Sequence, residues 1–590
     1  MTQRSNLAFT QSRLRWRTTL AVIALAGVVG AACSSDDSSS TVADSATTVA
    51  DTTAETVAET VAETVAEAAA TTVDSADNTT PVSDPSSTDP GSAEVADDPL
   101  IVLNSYEIAF IDPVASGGFW LYDFGGQENL LERKDDGKLH PWIAESVERV
   151  DPLTWTITVR DGITYGNGGE VDAEGVAASI NRQIAERSGS RNLIPGGVAT
   201  VSGPLEVMLT TPEPNAGVAD ALAERGAFPV YDVDAVVAAD GVDEDTFADN
   251  DLLIGTGFLT GPYQPVEFSA DEMTLGAYAD YWQGTPPLPG VVVRRVIDEQ
   301  ARMLAVQNGE ADLNLYPPVE AARLLTNADG PQFKASTIAL QGVTMDLNLQ
   351  SAPFDDVKVR QALALALDYD MLANDVLDGV FGVATGLYPE PVVPGIVERS
   401  TTDPERASAL LDEAGWVQDG DGVRTRGGEK LSFTILRAAQ DPETNSLAIA
   451  IQELVKPFGF EVELLTSEDF FTVLEDPEAW DATIFLTGLM SSSGAPYGPF
   501  FNKLTTEGPN NNGKFSDPEL DALYLDLLAS ETDDERLEIL DRTSEIVVTE
   551  QAYLIITTFK RYVVVVSPEY SDYVVSNFRR HVTFDTAPAA

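Results

Sequence analysis

Residues 352–379 constrain the fold more than any other stretch, because they predict two capped helices in succession. Asp355 and Asp356 are suited to cap and charge the start of the first helix. Its apolar residues recur at helical spacing and define one face that must be buried: Val359, Ala362, Leu363, Ala366 and Leu367. Asp368 is predicted to cap the second helix, over residues 369–377, and Gly379 to end it in the left-handed conformation.

The length and charge of the chain narrow the classes of protein to which it belongs. At 590 residues it exceeds the roughly 250 to 300 residues at which a single core stops growing, so two lobes are expected. The chain carries 95 acidic and 35 basic residues, a formal net charge of −60, which repels nucleic acid and anionic membrane surfaces. Nucleic-acid binding is therefore excluded. The acidity fits either a saline habitat or an exported protein of no special habitat.

Cys and His are scarce, and this excludes several kinds of site. The chain contains Cys33, His140 and His581 and no other residue of either type. Intramolecular disulfides and zinc sites built from several Cys or His ligands are excluded, and we predict no metal or other cofactor. The sequence also lacks a G-x-S-x-G motif, and two distant His residues give poor support to a catalytic triad. We predict that the chain is not an enzyme.

The first 33 residues predict export. Several Arg residues precede an apolar run over residues 20–29, which is followed by small residues and Cys33. The run is shorter than the roughly 20 residues that a spanning helix needs, so residues 1–32 are predicted to be a signal peptide. The small residues before Cys33 resemble the lipobox of bacterial lipoproteins, which implies that this thiol takes up diacylglycerol and anchors the protein to a membrane. The alternative is an ordinary cleaved signal followed by an incidental Cys.

Residues 33–98 are predicted to form a disordered tether. They are rich in Ser, Thr, Ala, Asp, Glu and Pro, and residues 55–67 repeat the unit ETVA. Such a segment cannot bury enough apolar surface to offset the entropy of ordering. A coil of roughly 60 residues reaches roughly 45 Å, which suits a body held off a membrane surface or through a cell wall.

Five blocks along the rest of the chain carry a family resemblance. They are KLHPWIAESVERVDPLTWTITVRDG (138–162), IGTGFLTGPYQPVEF (254–268), EQARMLAVQNGEAD (299–312), APFDDVKVRQALALALDYD (352–370) and TTDPERASALLDEAGW (401–416). In content and order they resemble the family 5 extracellular solute-binding proteins, which deliver peptides and other solutes to ABC importers. The second block contains glycines without the G-x-G-x-x-G spacing of a dinucleotide loop, so a phosphate-binding loop is disfavoured.

The resemblance implies an α/β fold with two lobes, like the type II periplasmic-binding proteins, with an extra subdomain inserted in the first lobe. The expected divisions are lobe I over residues 99–345 with the insertion at about 126–250, lobe II over 346–555, and a return to lobe I over 556–590. The chain is expected to cross between the lobes near residues 343–349 and 555–562, where extended β-branched segments lie. Ligand would lie between the lobes, which close by a rigid-body rotation.

Ligand contacts are implied for several segments. Residues 481–501 resemble the segment that, in peptide-binding members, presents backbone groups to the ligand and an Asp to its α-ammonium; Leu489 stands at the position of that Asp. Without this carboxylate, an apolar, uncharged or differently oriented ligand is favoured. The predicted ligand-binding residues are Phe119, Trp120, Tyr122, Asn348, Tyr388, Leu486, Thr487, Gly488, Leu489 and Met490. The alternative is that the aromatic residues, Leu489 and Met490 pack in the core.

The resemblance also implies a function. We expect a lipid-anchored protein outside the cytoplasm, on the outer face of the cell membrane or in the periplasm, that acts as a monomer. It would capture a peptide or similar small organic solute and deliver it to the permease subunits of an ABC transporter. One alternative is a ligand-sensing receptor subunit of the same fold without transport. Another is a secreted hydrolase on an unrelated fold.

Overall fold

The structure is a computed structural model that describes residues 96–115, 118–239, 250–327, 329–418, 422–439, 441–486, 488–491 and 494–589. The predicted signal peptide, the predicted lipidation site Cys33 and almost all of the predicted tether lie outside these residues. Within the described ranges, no helix is both long enough and apolar enough to cross a membrane.

Strands and helices are interspersed along the described chain, often in runs of two to four of one kind. In chain order the strands are β1 (Leu100–Asn104), β2 (Leu131–Arg133), β3 (Leu139–Pro141), β4 (Ala144–Asp151), β5 (Thr154–Val159), β6 (Val198–Gly203), β7 (Glu206–Thr210), β8 (Tyr263–Phe268), β9 (Glu272–Ala277), β10 (Gly290–Arg295), β11 (Leu313–Leu315), β12 (Gln332–Ala335), β13 (Gln341–Leu347), β14 (Gly382–Val383), β15 (Val417–Gln418), β16 (Arg424–Arg426), β17 (Glu429–Lys430), β18 (Ser432–Ala438), β19 (Glu461–Ser467), β20 (Ala482–Phe485), β21 (Leu554–Lys560) and β22 (Val563–Val566).

The α-helices are mostly short. In chain order they are α1 (Trp120–Asp123), α2 (Ala173–Glu186), α3 (Ser188–Leu193), α4 (Val218–Ala223), α5 (Val233–Ala239), α6 (Asn250–Leu253), α7 (Glu299–Gln307), α8 (Ala321–Leu324), α9 (Val357–Ala366), α10 (Tyr369–Met371), α11 (Pro404–Glu413), α12 (Pro442–Val455), α13 (Phe470–Leu474), α14 (Tyr497–Leu504), α15 (Pro518–Ala529) and α16 (Asp533–Ser544). Two π-helical turns (Leu372–Val376 and Glu545–Glu550) and two 3-10 turns (Lys456–Phe458 and Pro568–Tyr570) complete the set.

Lobe I is built on a seven-stranded sheet in the order β12-β22-β11-β1-β10-β9-β8. The central strands β11, β1 and β10 run parallel, whereas β22, β12 and β9 are antiparallel to their neighbours. The central strands are almost continuously apolar, as expected for a sheet that is covered on both faces. Their side chains join the core of lobe I, in which Leu100, Val102, Val291 and Leu313 are fully buried.

A subdomain is inserted in lobe I. It contains a four-stranded antiparallel sheet, β4-β5-β7-β6, with α2 packed against it. Its core is separate from that of lobe I and extends from Leu130 to Val230. Helix α2 begins after Asp172, because the Asp172 side chain accepts a hydrogen bond from Gly175 N and so caps the first turn.

Lobe II is built on a six-stranded sheet in the order β14-β21-β13-β20-β18-β19. Strands β18, β19 and β20 run parallel, and β13 is antiparallel to both β20 and β21. The predicted capped helices of residues 352–379 lie in this lobe. Asp356 caps α9 through Lys358 N and Asp368 caps α10 through Met371 N, while Gly379 has a φ of 68°.

The chain crosses between the two sheets twice, and the crossings contact each other. The first crossing is the segment between β12 and β13, and the second is Arg561 and Tyr562, between β21 and β22. Ser336 N donates to Tyr562 O at 2.8 Å, and Ser336 Oγ accepts from Tyr562 N at 3.1 Å. The sequence placed the first crossing at residues 343–349, but these begin inside β13, which pairs wholly within lobe II. The β-branched residues there therefore form a core strand rather than a linker.

Candidate functional site

A cavity of about 610 Å³ lies between lobe I and lobe II. Its walls come from residues that directly follow or end strands: β1, β10 and β11 of lobe I, and β18, β19 and β21 of lobe II. Ligands of open α/β sheets bind in the crevice beyond the carboxyl ends of the strands. Six residues represent the two walls: Tyr106, Arg295 and Tyr316 from lobe I, and Asp441, Glu443 and Lys560 from lobe II. We refer to this cavity as the cleft.

The two walls of the cleft are joined by a hydrogen bond between Tyr106 and Asp441. The hydroxyl of Tyr106, in lobe I, donates to Oδ1 of Asp441, in lobe II, at 3.2 Å. The Asp441 side chain precedes α12, and burial raises the pKa of its carboxyl. Lys560 Nζ also reaches across, lying 6.0 Å from the centre of the Tyr316 ring. Because these contacts come from both lobes, the geometry of the site depends on how the two lobes are oriented relative to each other.

Lys560 and Glu443 form a buried ion pair on the lobe II side of the cleft. Lys560 Nζ donates to Glu443 Oε1 at 3.0 Å, and the two residues are 5% and 8% exposed. Removing one partner of a buried pair leaves an uncompensated charge, which is costly. The pair therefore holds both side chains at the cleft wall in a defined position.

Tyr316 has an unusual backbone for its residue type. Its φ is 58°, in the left-handed region that non-glycine residues seldom occupy. Arg302 donates to its carbonyl oxygen at 3.1 Å, and Arg579, which also has a left-handed φ of 61°, donates to its hydroxyl. Backbone strain of this kind persists only where neighbouring structure maintains it, and it concentrates at functional sites.

Two guanidinium groups share one buried carboxylate beside the cleft. Asp123 is fully buried and forms a bidentate pair with Arg225, and its Oδ2 also lies 3.8 Å from Arg579 Nε. Arg225 stacks over the Phe119 ring at 4.0 Å and Arg579 over the Trp120 ring at 5.7 Å. The two cations outnumber the carboxylate that they share, so this region carries a local excess of positive charge.

The cleft wall itself has an excess of carboxylates. Its basic residues are Arg295, Arg302 and Lys560, and its acidic residues are Asp298, Glu299, Asp441, Glu443 and Glu468. Arg302 is 3% exposed, and its side-chain hydrogen bonds go to Asn314 and to three backbone carbonyls. Burial raises the pKa of Glu299, and so do the nearby charges of Glu320 and Glu443. Positive and negative regions therefore adjoin at this site.

Trp120 is a predicted residue that contacts the cleft wall, through Tyr106, and Phe119 packs against Trp120. The Trp120 ring is 6.2 Å from that of Tyr106 and 5.3 Å from that of Phe119. Tyr122, which was predicted with them, points elsewhere. It is 3% exposed, and its ring lies 6.1 Å from that of Trp142 and 5.9 Å from the Arg580 guanidinium.

Asn348 and Tyr388 lie inside lobe II. The Asn348 side chain donates to Pro477 O at 2.8 Å and to Trp480 O at 3.2 Å, and it accepts from Gln350 N at 3.1 Å. These three contacts explain its burial at 1% exposure. Tyr388 is fully buried in the lobe II core. The structure does not bring either residue to the cleft wall.

The predicted segment 486–490 follows β20, at the edge of the lobe II sheet that faces the cleft. Leu486 packs against the lobe II core and Thr487 lies outside the described residues. Gly488 approaches strand β13 so closely that a Cβ atom there would lie 2.2 Å from Gly342 N. Leu489 and Met490 are 1% and 3% exposed within the lobe II core, the alternative that the sequence left open.

None of the predicted ligand-binding residues is among the described residues that line the cleft. Tyr106 and Tyr316 lie within two residues of the ends of β1 and β11, in the parallel part of the lobe I sheet, and this position is the signal that identifies them. Asp441, Glu443 and Lys560 do not belong to any short sequence motif. Lys560 and Glu443 meet only because β21 packs near α12, and no short-range pattern predicts such a contact.

Comparison with known proteins identifies the family. Residues 138–511 match the model of the bacterial extracellular solute-binding proteins, family 5, which spans more than half of the chain. The nickel-binding protein NikA of Staphylococcus aureus is 24% identical over 405 residues, which are 68% of this chain and 76% of that protein.

Solved structures show the same fold. NikA from Brucella suis, in complex with Fe(III)-EDTA, has a TM-score of 0.74 at 20% identity, with 84% of this chain and 100% of that chain covered. The oligopeptide-binding protein AppA from Bacillus subtilis, in complex with a nonapeptide, has a TM-score of 0.70 at 20% identity, with coverage of 85% and 100%. The two-lobed α/β fold predicted from the sequence is confirmed. With a cleft at the carboxyl ends of both sheets, this chain belongs to the family 5 extracellular solute-binding proteins of bacterial ABC importers.

Proposed function

We propose that the chain captures a short peptide or a similar zwitterionic organic solute in the cleft and delivers it to the permease of an ABC importer. The observation that carries this proposal is the cleft itself, whose two walls belong to different lobes and have an excess of carboxylates, with the Arg225 and Arg579 cations beside it. Its volume of about 610 Å³ is within the range of about 300 to 1,000 Å³ that is usual for small-molecule sites.

The positive end of the proposed ligand would lie against the carboxylates. In peptide-binding members an Asp of the segment after β20 holds the ligand ammonium, and Leu489 replaces it here. Asp441 and Glu299 supply carboxylates on the two walls instead, and burial raises the pKa of both. A cationic group between them would relieve the cost of desolvating these charges.

The negative end of the ligand would lie toward Arg225 and Arg579. These cations share the single carboxylate of Asp123, so they retain capacity to bind a ligand carboxylate. The rings of Trp120 and Tyr316 each lie 5.7 Å from the Arg579 guanidinium, and Tyr316, on the cleft wall, would offer apolar surface for the body of the ligand. The proposed site therefore offers carboxylates at one end, aromatic surface in the middle and guanidinium groups at the other end. A zwitterion of the length of a short peptide would match this order.

Binding would be coupled to closing of the lobes. A ligand that contacts both walls stabilises the closed arrangement by the difference in its affinity for the closed and open states. The Tyr106–Asp441 hydrogen bond joins the two walls, so it would break when they separate. Nothing in this sequence of events requires chemical change, so we propose binding and release without catalysis.

A metal ion held by an organic chelator is a second candidate ligand. Two relatives are nickel-binding proteins, and the Brucella suis structure contains Fe(III)-EDTA, a polycarboxylate complex. Among the described residues, no group of three or more His, Cys, Asp or Glu side chains is placed to hold a metal ion. The excess of guanidinium at Arg225 and Arg579 suits the carboxylates of a chelator rather than a bare ion.

We further propose that Cys33 is lipidated and anchors the protein to the outer face of the cell membrane. The order of charged, apolar and small residues before Cys33 supports this. Labelling the expressing cells with a fatty-acid analogue should label the wild-type protein. The Cys33→Ser variant should be unlabelled and appear in the culture medium or the soluble fraction. Equal membrane retention of both proteins would contradict the anchor.

The test of the proposed ligand is native mass spectrometry of the protein after gentle purification from cells that import it. The expected result is a bound mass that dissociates on activation and matches a short peptide or another zwitterion. Asp441→Asn should reduce that occupancy, whereas Asp526→Asn, an exposed lobe II residue on α15, should not. A bound metal chelate would favour the second candidate. Turnover of the bound compound would contradict a function in binding and delivery.

A further inference from the structure

Three carboxylates from the two lobes line the cleft. Glu299 is the first residue of α7 in lobe I, and Asp441 and Glu443 lie at the start of α12 in lobe II. Burial raises the pKa of Glu299, and the charges of Glu320 and, on the other wall, Glu443 add to this effect. The carboxylates of the two walls are therefore close enough to repel each other, which opposes closing of the lobes.

Two of these carboxylates keep an oxygen atom that is free to bind a ligand. Asp441 is 5% exposed, and its Oδ1 accepts from the Tyr106 hydroxyl, while its Oδ2 has no hydrogen-bond or ion-pair partner among the described residues. Glu443 is 8% exposed, and its Oε1 accepts from Lys560 Nζ, while its Oε2 likewise has no partner in the described part of the chain. Neither free oxygen is among the fully enclosed polar atoms of the described residues, and both side chains border the cleft.

The basic residues of the cleft wall do not balance its carboxylates. The Arg302 guanidinium donates to an amide and to backbone carbonyls, and Arg295 pairs at 3.7 Å with Glu107, which lies outside the wall. Lys560 is paired with Glu443. Among the described residues, five acidic and three basic side chains line the cleft, so the wall has an excess of two negative charges.

The size and arrangement of the site favour an organic cation over a metal ion. Among the described residues, no group of three or more Asp, Glu, His or Cys side chains is placed to hold a metal ion. An ammonium or guanidinium group carries several donors and can bond to carboxylates that do not converge on one point. The cleft volume of about 610 Å³ also suits an organic molecule.

Two tyrosine rings stand beside the carboxylates. Tyr106 and Tyr316 both line the cleft, and their rings meet edge to face with centres 5.2 Å apart. The Lys560 ammonium lies 6.0 Å from the centre of the Tyr316 ring, a distance at which an aromatic face attracts a cation. A second cation, supplied by the ligand, would find the same kind of surface next to the free carboxylate oxygens.

We infer that the cleft selects solutes that carry two positive charges at one end. A short peptide with Lys or Arg as its first residue has this charge pattern, through its α-ammonium and its side chain. The inference deepens the proposed function and rests on it for the cleft as the solute site. Two ligand cations match the excess of two carboxylates and remove the repulsion between the walls, so their binding favours the closed lobes.

Isothermal titration of the full chain with matched probes tests the inference. Lys-Ala-Ala and Arg-Ala-Ala are each compared with Ala-Ala-Ala, which lacks the second positive charge. Cadaverine, a diamine without a carboxylate, is compared with pentylamine, a monoamine of the same length. In at least one comparison the dication should bind at a stoichiometry of one and at least tenfold more tightly than its partner.

Two variants locate the preference in the cleft. Glu299→Gln should reduce it at least threefold, because it removes one of the three carboxylate charges and leaves no buried cation unpaired. Asp441→Asn, on the opposite wall, should have the same effect. Glu310→Gln, at an exposed residue just beyond the end of α7, is the matched control and should keep the full preference. Melting temperatures check that the variants are folded.

The outcomes separate this inference from the proposed function. If no tripeptide binds but cadaverine binds more tightly than pentylamine, the peptide ligand is wrong and the selection of dications is supported. If the tripeptides bind equally well and cadaverine has no advantage over pentylamine, the proposed function stands and the inference is overturned. Absence of binding for every probe would overturn it too, as would a preference that is unchanged in both Glu299→Gln and Asp441→Asn.

Discussion

The guanidinium of Arg579 donates a hydrogen bond to the hydroxyl of Tyr316, and both residues hold a left-handed backbone, with φ of 61° and 58°. Each such conformation costs of order 1–3 kcal/mol for a non-glycine residue. The two residues are 263 positions apart, so tertiary structure maintains both. Because Tyr316 lines the cleft and Arg579 adjoins it, the strain is located where a ligand would be held.

Arg579→Ala should weaken binding of the solute at least tenfold. The reason is loss of the cation that we place opposite the ligand carboxylate, since charge-assisted hydrogen bonds contribute roughly 1.5–3 kcal/mol. Titration calorimetry with the solute identified by mass spectrometry measures the change. Arg323→Ala, at a residue with a 65% exposed side chain, is the matched control. If both variants bind equally well, Arg579 has no part in recognition.

Tyr106→Phe should shift the protein toward the open arrangement. It removes the hydroxyl that joins the lobes through Asp441, and a hydrogen bond of this kind contributes about 1 kcal/mol. We expect a larger radius of gyration by small-angle scattering and roughly fivefold weaker solute binding. Tyr553→Phe removes an equivalent Tyr–Asp bond, to Asp517 at 3.1 Å within lobe II, and should leave the scattering unchanged. An identical curve for Tyr106→Phe and wild type would contradict a role in closing.

Glu128 should make stability depend on pH. Burial is the main cause that raises its pKa from the ordinary value to about 7. Because the folded state then binds the proton more tightly than the unfolded state, this contribution is fully present below about pH 4.5 and is lost as the pH rises through about 7. The total is at most about 3 kcal/mol.

The Glu128→Gln variant should therefore gain stability relative to wild type as the pH is raised from 5 to 8. Denaturant unfolding across that range measures the difference, with Glu390→Gln, an exposed residue, as the control. The neutral amide keeps an acceptor for the Tyr281 hydroxyl, so the comparison isolates the charge. A constant difference between Glu128→Gln and wild type at every pH would mean that Glu128 does not titrate in this window.

Gly488→Ala should destabilise lobe II by about 1–3 kcal/mol, because its Cβ would lie 2.2 Å from Gly342 N and force the backbone of β13 to move. Thermal unfolding measures the loss. Gly189→Ala in α3 is the matched control, since the nearest side-chain atom, Nε of Arg187, would be 4.0 Å from the added Cβ. If Gly488→Ala melts at the same temperature as wild type, the segment after β20 can shift to accommodate the added Cβ without loss of stability.

The sequence by itself determined the local elements. Asp356 and Asp368 cap helices where the pattern predicted. A cap is a contact between residues two or three positions apart, so it can be read from the chain. The motif blocks also predicted the family and its two-lobed fold. They occur in the same order as in the family, and this order follows the order of helices and strands in the fold.

Only the tertiary structure decided which side chains meet in the cleft. Tyr106 and Asp441 are 335 positions apart, and Lys560 and Glu443 are 117 apart, so no short-range pattern joins them. Leu489 and Met490 suited a binding loop and a core equally well in the sequence, and their burial follows from how β20 packs in lobe II. A cleft between two lobes is defined by long-range contacts, which depend on the fold of both.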